Sequence, residues 1–267
     1  MTECNEHDKL VMVSFGGGVN SAALLVGMQE KGMTCDAILF ADTGGEKPHT
    51  YEFVNIMDAW LVKHGFPSIT MVRASQRTYE DLEDNCLKQK MLPSLAYGFK
   101  SCSHKYKKQP QEVWANNWQP AKDVWASGGK VTKYLGIDIG EERRAKIPED
   151  DKYRYEYPLL RWEWEREDCL EALQRAGLPN PGKSACFFCP GSKKHEIRQL
   201  QQQYPELAQR AIDMERNAEL TSVKGLGRSF SWEAYLKADA AQGRLFPEVL
   251  DTGCLCYDGE EDPPDEE

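Results

Sequence analysis

Val11-Met12-Val13-Ser14-Phe15-Gly16-Gly17-Gly18-Val19-Asn20-Ser21 passes from an apolar run into three consecutive glycines and then into Ala22-Ala23-Leu24-Leu25-Val26. The run Leu10 to Val13 reads as a buried strand, and the segment after the glycines reads as a helix. Strand, glycine loop and helix N-terminus together make an anion site. Glycines let a backbone come close to an anion, and the first N–H groups of a helix have no partners of their own. Ser14, Asn20 and Ser21 add side-chain donors around the loop. A phosphate is the guest this arrangement suits; the plain alternative is a glycine-rich turn without a ligand.

The loop lacks the Lys-Ser/Thr of a Walker A motif, and it does not meet the G-x-G-x-x-G spacing of dinucleotide folds. It resembles instead the pyrophosphate loop of the PP-loop superfamily (ATP pyrophosphatases, tRNA and DNA thiolation enzymes and the phosphoadenylyl-sulfate, or PAPS, reductase family), whose pattern is Ser-Gly-Gly-x-Asp-Ser. Gly17-Gly18-Val19-Asn20-Ser21 matches with Asn20 in the aspartate's place.

Further segments carry the same resemblance in the same order. Asp36 to Ala41 reads as a second buried strand, followed at once by Asp42-Thr43-Gly44-Gly45-Glu46, similar to the Asp-Thr-Gly turn of PAPS reductases. A carboxylate and a hydroxyl there would bind a ribose or a Mg2+ held by phosphates; a helix-capping turn is the plainer reading. Pro48 suits the first turn of a helix through Tyr51, Val54, Met57 and Leu61, and Ile69 to Val72 reads as a third strand. This alternation implies a parallel sheet with ligands at the carboxyl ends of its strands. Arg77 to Lys90 is expected to be helical and Met91 to Phe99 irregular. Ser101-Cys102-Ser103-His104-Lys105-Tyr106-Lys107-Lys108-Gln109-Pro110 resembles the family's cysteine–basic segment, with Ser101 where cluster-bearing adenylyl-sulfate reductases have an additional cysteine. Lys133 to Asp138 reads as a later strand. The Ile139-Gly140-Glu141-Glu142-Arg143-Arg144 segment after it resembles the family's glycine–acid–arginine signature. Arg143 or Arg144 would grip a phosphate or sulfate with two parallel hydrogen bonds; an exposed ion-paired turn is the alternative. Tyr157-Pro158-Leu159-Leu160 and the helix Glu167 to Ala176 complete the match, and Trp114, Trp118 and Trp125 read as packing residues.

The second strong signal is Ser184-Ala185-Cys186-Phe187-Phe188-Cys189-Pro190. Two thiolates separated by two residues can bind one metal centre, and the resemblance places Cys102 beside them. Cys102, Cys186 and Cys189 would hold a 4Fe-4S cluster with one iron open. Zinc, recruiting His104 or His195, a redox dithiol of Cys186 and Cys189, and inert buried cysteines are the competing readings. Cys4, Cys35, Cys86 and Cys169 read as packing. Cys254 and Cys256, in Gly253-Cys254-Leu255-Cys256-Tyr257, correspond in position to the mobile nucleophile of PAPS reductases, though the Glu-Cys-Gly-Leu-His setting is absent.

Composition fits this reading. The 267 residues are 40% hydrophobic without a long apolar run, which argues for a globular chain without a membrane partner. The polar start argues against a secretory signal, so the nine cysteines are expected in a reducing cytoplasm. Seven acids in Asp258 to Glu267 account for most of the net charge of −10. Between Asn85 and Gln111, by contrast, Lys88, Lys90, Lys100, Lys105, Lys107 and Lys108 occur without an acid, which suggests an anionic substrate or a solvated loop.

The expected architecture is α/β: a Rossmann-like PP-loop fold with a central, mostly parallel sheet and a small C-terminal helical appendage. The nucleotide-binding domain would span residues 1–182, the cysteine motif and helices 183–248, and a cysteine-containing acidic tail 249–267. By resemblance, Ser14, Gly16, Gly17, Gly18, Asn20, Ser21, Asp42, Thr43, Gly44, Arg143 and Arg144 would hold ATP or another adenine nucleotide with Mg2+. The reacting groups would come from Asn20, Cys102, Cys254 and Cys256. The implied chemistry is ATP-dependent adenylation and sulfur transfer to a nucleic acid or another anionic acceptor. Its rivals are reduction of adenylyl sulfate or PAPS with a thioredoxin-like electron donor, and nucleotide binding without catalysis.

Overall fold

Five strands, β1 (Val11–Phe15), β2 (Ala37–Asp42), β3 (Ile69–Arg73), β4 (Val131–Leu135) and β5 (Tyr153–Glu156), form a sheet in the order β3-β2-β1-β4-β5. All four neighbouring pairs are parallel. The structure is a computed structural model that describes residues 10–74 and 78–241. Cys254, Cys256 and the acidic tail lie outside those residues.

Parallel strands joined by helical crossovers are covered by helices on both faces, which is why β1, β2 and β4 are buried throughout. Along β1, Val11, Val13 and Phe15 enter one core with α1 (Val19–Glu30), α2 (Pro48–Lys63) and α8 (Arg166–Arg175). Met12 turns to a second core beneath α5 (Gln109–Asn117) and α6 (Gln119–Ala126), where Trp114, Trp118 and Trp125 pack as expected. After β3 the chain crosses to the far side of β1, so the winding reverses between β1 and β4. At such a switch point the loops leaving the two strands part and open a crevice.

β5 was not anticipated. Tyr153 and Tyr155 face inward while Arg154 faces solvent, the alternation of an edge strand set among charged residues. The helix expected over Arg77–Lys90 is shorter: α3 (Leu82–Lys88) starts where the Asp81 carboxylate accepts the Asp84 N–H at 2.9 Å.

A third core gathers the remaining helices. It joins α9 (Lys194–Gln203), α10 (Pro205–Asn217) and α11 (Trp232–Ala241) to Leu82, Leu92 and Tyr106 from the middle of the chain. Pro205 occupies the first turn of α10, where its missing N–H costs nothing, and so separates α9 from α10. The short α7 (Pro158–Arg161) links β5 to α8. Ser101 to Asn117 forms one continuous helical rod: α4 (Ser101–Ser103), a π-helical turn at His104–Lys108, then α5. Among the described residues no helix is long and apolar enough to cross a membrane.

Candidate functional site: a glycine-loop cleft and a cysteine pocket

A cleft of about 870 Å3, open mouth included, lies at the switch point. Ser14, Phe15 and Gly16 form its β1 wall, Leu135, Gly136 and Ile137 its β4 wall, and Gly18 to Ser21 its floor. The loop is braced from within. The Gly16 N–H donates to Ser21 Oγ at 3.1 Å, and that hydroxyl lies 3.1 Å from the Gly18 carbonyl, to which it donates. Gly18 caps α1 without any side-chain bond. Gly17 has φ +74°, and a Cβ there would stand 3.1 Å from both Phe40 and Thr50. Gly17 therefore turns the loop from beneath and is not part of the cleft wall. Gly136 matters as much: a Cβ on it would meet the Asn20 carbonyl and Ser21 Cα at 2.7 Å. Only glycine lets the end of β4 touch the first turn of α1.

Asn20 is fully engaged. Its Nδ2 donates to Asp138 at 2.9 Å and to Glu141 at 3.1 Å, and its Oδ1 accepts from Arg166 at 2.8 Å. An amide can serve two carboxylates and one guanidinium at once; an aspartate here would bring a third negative charge to the group. Glu141 lines the cleft, and burial raises its pKa against the opposing pull of Arg144, which pairs with it at 2.5 Å. Arg144 and Arg166 reach the cleft, whereas Arg143 faces solvent.

Asp42 is placed differently from expectation. Its carboxylate is buried and accepts from the Gly44 N–H at 2.8 Å, the Tyr51 hydroxyl at 2.8 Å and the Arg73 guanidinium. With those partners it shapes the turn after β2 and lines neither cavity described here; nor does Gly44. The carboxylate facing the cleft is that of Glu141.

Thr43 belongs to a second cavity. Cys102, Cys186 and Cys189 line one pocket with Thr43, Ser103, Lys100, Lys107, Lys183 and Arg228, and among the described residues no acid contributes to its wall. Thr43 Oγ1 stands 3.0 Å from Cys186 Sγ. Burial, followed by the charge of Glu46, pushes the Cys186 thiol well above its ordinary pKa, so a metal would have to displace its proton. Among the described residues no group of three or more His, Cys, Asp or Glu side chains stands ready to close on a metal ion. The donor set nonetheless suits a thiophilic centre: three thiols around one cavity, with cations to offset thiolate charge. His104 and His195 do not line the pocket.

The two cavities share a wall. Lys107 and Lys183 line both. Lys107 comes from the π-helical turn. Cys102 and Lys107 are five residues apart, a step that overshoots an α turn but matches a π turn, whose bonds close i→i+5. Four residues on, Gln111 reaches the first cleft and accepts the Ser14 hydroxyl at 2.6 Å. The basic block is less free than its composition suggests: Lys88, Lys90, Lys107 and Lys108 pair with Asp84, Glu219, Glu46 and Glu112. From the other side, Ser184 donates to the Gly16 carbonyl at 2.6 Å, and Phe187 N–H donates to the Gly45 carbonyl at 2.8 Å. Lys183 pairs with buried Glu196 at 2.8 Å. Lys183 and Ser184 were legible only as neighbours of the cysteine pair; Gln111 and Arg166 carried no local signal.

No protein-family model matches the sequence, and no curated protein sequence does. Among solved structures the chain is similar to the U34-tRNA thiolase NcsA from Methanococcus maripaludis, determined with its 4Fe-4S cluster. The likeness is distant: 13% identity over 91% of this chain and 84% of that chain, with a TM-score of 0.42.

Proposed function

We propose that this chain is an adenine-nucleotide-binding enzyme of the PP-loop kind that activates an acceptor with ATP and passes it sulfur at the cysteine pocket. The carrying observation is the shared wall: Lys107 and Lys183 line both cavities, and Ser184, bonded to the glycine loop, stands two residues before Cys186.

In this reading the phosphates lie on the glycine loop against the free N–H groups at the start of α1, where the helix dipole favours negative charge. Arg144 and Arg166 complement the phosphates, and Glu141 is the carboxylate that a phosphate-bound Mg2+ would meet. The acceptor's oxygen attacks the α-phosphorus, the bond to the bridging oxygen breaks, and pyrophosphate leaves with that electron pair. Lys107 and Lys183 stabilise the charge that develops as it goes. A sulfur nucleophile then displaces AMP from the acceptor. Cys102, Cys186 and Cys189 would hold a 4Fe-4S cluster, which when bound supplies an open iron at which sulfide can be carried. Lys100, Lys107, Lys183 and Arg228 on the pocket wall, with no acid there among the described residues, favour an anionic acceptor.

The test is anaerobic purification with iron, sulfide and zinc analysis, followed by pyrophosphate release from ATP with sulfide present. Iron and sulfide together with pyrophosphate release support the reading. A colourless zinc protein, or sulfite release from adenylyl sulfate or PAPS without pyrophosphate release from ATP, would sink it. The latter result would assign the reductase activity instead.

A further inference from the structure

The mouth of the cysteine pocket holds a residue that neither the fold nor the proposed chemistry uses. Arg228 lines the pocket, and among the described residues its guanidinium has no hydrogen bond or ion pair. Its backbone is unusual, with φ +61°, a region that residues other than glycine rarely enter. Such a conformation persists only where the surroundings enforce it. Here they do. The Arg228 N–H donates to the Gly225 carbonyl at 3.0 Å, and the Arg228 carbonyl accepts from Lys224 at 2.8 Å. Beneath the turn, buried Glu215 accepts from the Leu226 N–H at 2.7 Å, the Trp232 N–H at 3.0 Å and the Ser231 hydroxyl at 2.8 Å.

The turn sets the guanidinium over Gly98, with Nη2 3.0 Å from where a Cβ on that glycine would stand. Gly98 is followed by Phe99, which is 66% exposed and, among the described residues, the most exposed of the large hydrophobic side chains. Lys100 comes next and lines the pocket. An unpaired guanidinium on an enforced turn and a lysine therefore line one pocket whose wall, among the described residues, carries no acid. The exposed Phe99 stands in the chain between Gly98, under that guanidinium, and Lys100. A guanidinium fork fits a phosphate, and an exposed ring one residue along from Gly98 offers a face for an unstacked base.

We propose that this mouth binds single-stranded nucleic acid, with Arg228 gripping a phosphodiester, Phe99 stacking a base and Lys100 adding charge. The inference rests on the reading that the sulfur acceptor enters the cysteine pocket, and it names that acceptor's class.

The test is fluorescence anisotropy of the full chain with a labelled single-stranded oligonucleotide across a salt series, without ATP or sulfide. Arg228→Ala should weaken binding roughly tenfold and flatten the log–log salt slope by about 0.7. Arg228→Lys should restore the slope but only part of the affinity, because it keeps the charge and loses the fork. Phe99→Ala should weaken binding about tenfold with the slope unchanged. Three results would overturn the proposal: native affinity in Arg228→Ala and Phe99→Ala, equal affinity for a duplex of the same sequence, or displacement by inorganic phosphate or AMP as effectively as by unlabelled strand. The last would mark a site for small anions. Because the assay uses neither ATP nor sulfide, its failure leaves the sulfur-transfer reading standing, and failure of the metal and pyrophosphate assays leaves this binding result intact.

Discussion

The glycine-loop cleft and the cysteine pocket are adjacent, yet they are built in opposite ways. The cleft is mostly backbone. It is set by strand ends and the start of α1, over a core whose large side chains each contribute about 1.5–3 kcal/mol by burial. The pocket is mostly side chain, assembled from Thr43, a helical rod, the turn at Ala185–Ser192 and the loop that carries Arg228. A backbone site tolerates side-chain change but not a change in how closely its elements approach. A side-chain site behaves in the reverse way. That contrast can be broken by mutation.

The largest effect is expected from Cys186→Ser. Sulfur transfer should fall to background while nucleotide affinity stays within about twofold, as for independent sites; turnover assays and calorimetric titration of ATP measure the two. A parallel loss of nucleotide binding would mean that the regions are one unit. Gly136→Ala is the converse. Its methyl group would overlap backbone at 2.7 Å, so a denaturation curve should show a loss of about 2–3 kcal/mol, with nucleotide affinity reduced and iron content unchanged.

Asn20→Asp comes third. It replaces an amide that donates to Asp138 and Glu141 with another negative charge, and should cost about 1.5 kcal/mol at neutral pH. Repulsion raises the carboxylate pKa values of the folded protein above those of the unfolded chain. The folded state then binds a proton more tightly, so the deficit should shrink as pH falls through about 5. A pH series of melting temperatures reads it, and a deficit that grows with acidity would refute the account.

The smallest functional effect belongs to Lys133→Met. Lys133 is buried in β4, has no hydrogen-bond partner for its Nζ among the described residues, and lies 5.1 Å from the Tyr153 ring centroid. Burial lowers its pKa to about 8. The folded state thus holds the proton less tightly than the unfolded chain, which penalises folding fully below about pH 8 and less and less toward 10.5. The substitution should stabilise the protein by roughly 1–3 kcal/mol at pH 7, with the cation–π contact offsetting part of the gain. That advantage should fade at alkaline pH while both sites keep their activity.

The same contrast explains what could be read in the sequence. The glycine loop is contiguous, and its strand, turn and helix signals agree, so β1, α1 and the neighbouring parallel strands were visible. β5 was not, because Tyr153 and Tyr155 alternate with charged residues in a segment too short to outweigh them. Asp42 shows the limit of local reading. Nothing near it in the chain tells that Arg73, thirty-one positions on, takes its carboxylate, or that Glu141 faces the cleft in its stead. The convergence of Cys102, Cys186 and Cys189 on one pocket followed from resemblance; Arg228 could not be anticipated, because a left-handed turn and an open pocket wall exist only in three dimensions.

The Ser184–Gly16 bond adds a matter of timing. Gly16 lines the cleft while its carbonyl accepts the Ser184 hydroxyl, so a phosphate seated on the loop holds in place the group to which Ser184 is tied. Loading the loop would then stiffen the segment leading to Cys186 before any acceptor arrives, and unloading would slacken it. In the proposed cycle the nucleotide would set the order of events: the thiol side would be most rigid while ATP is present and would loosen when AMP departs, the moment at which product must leave.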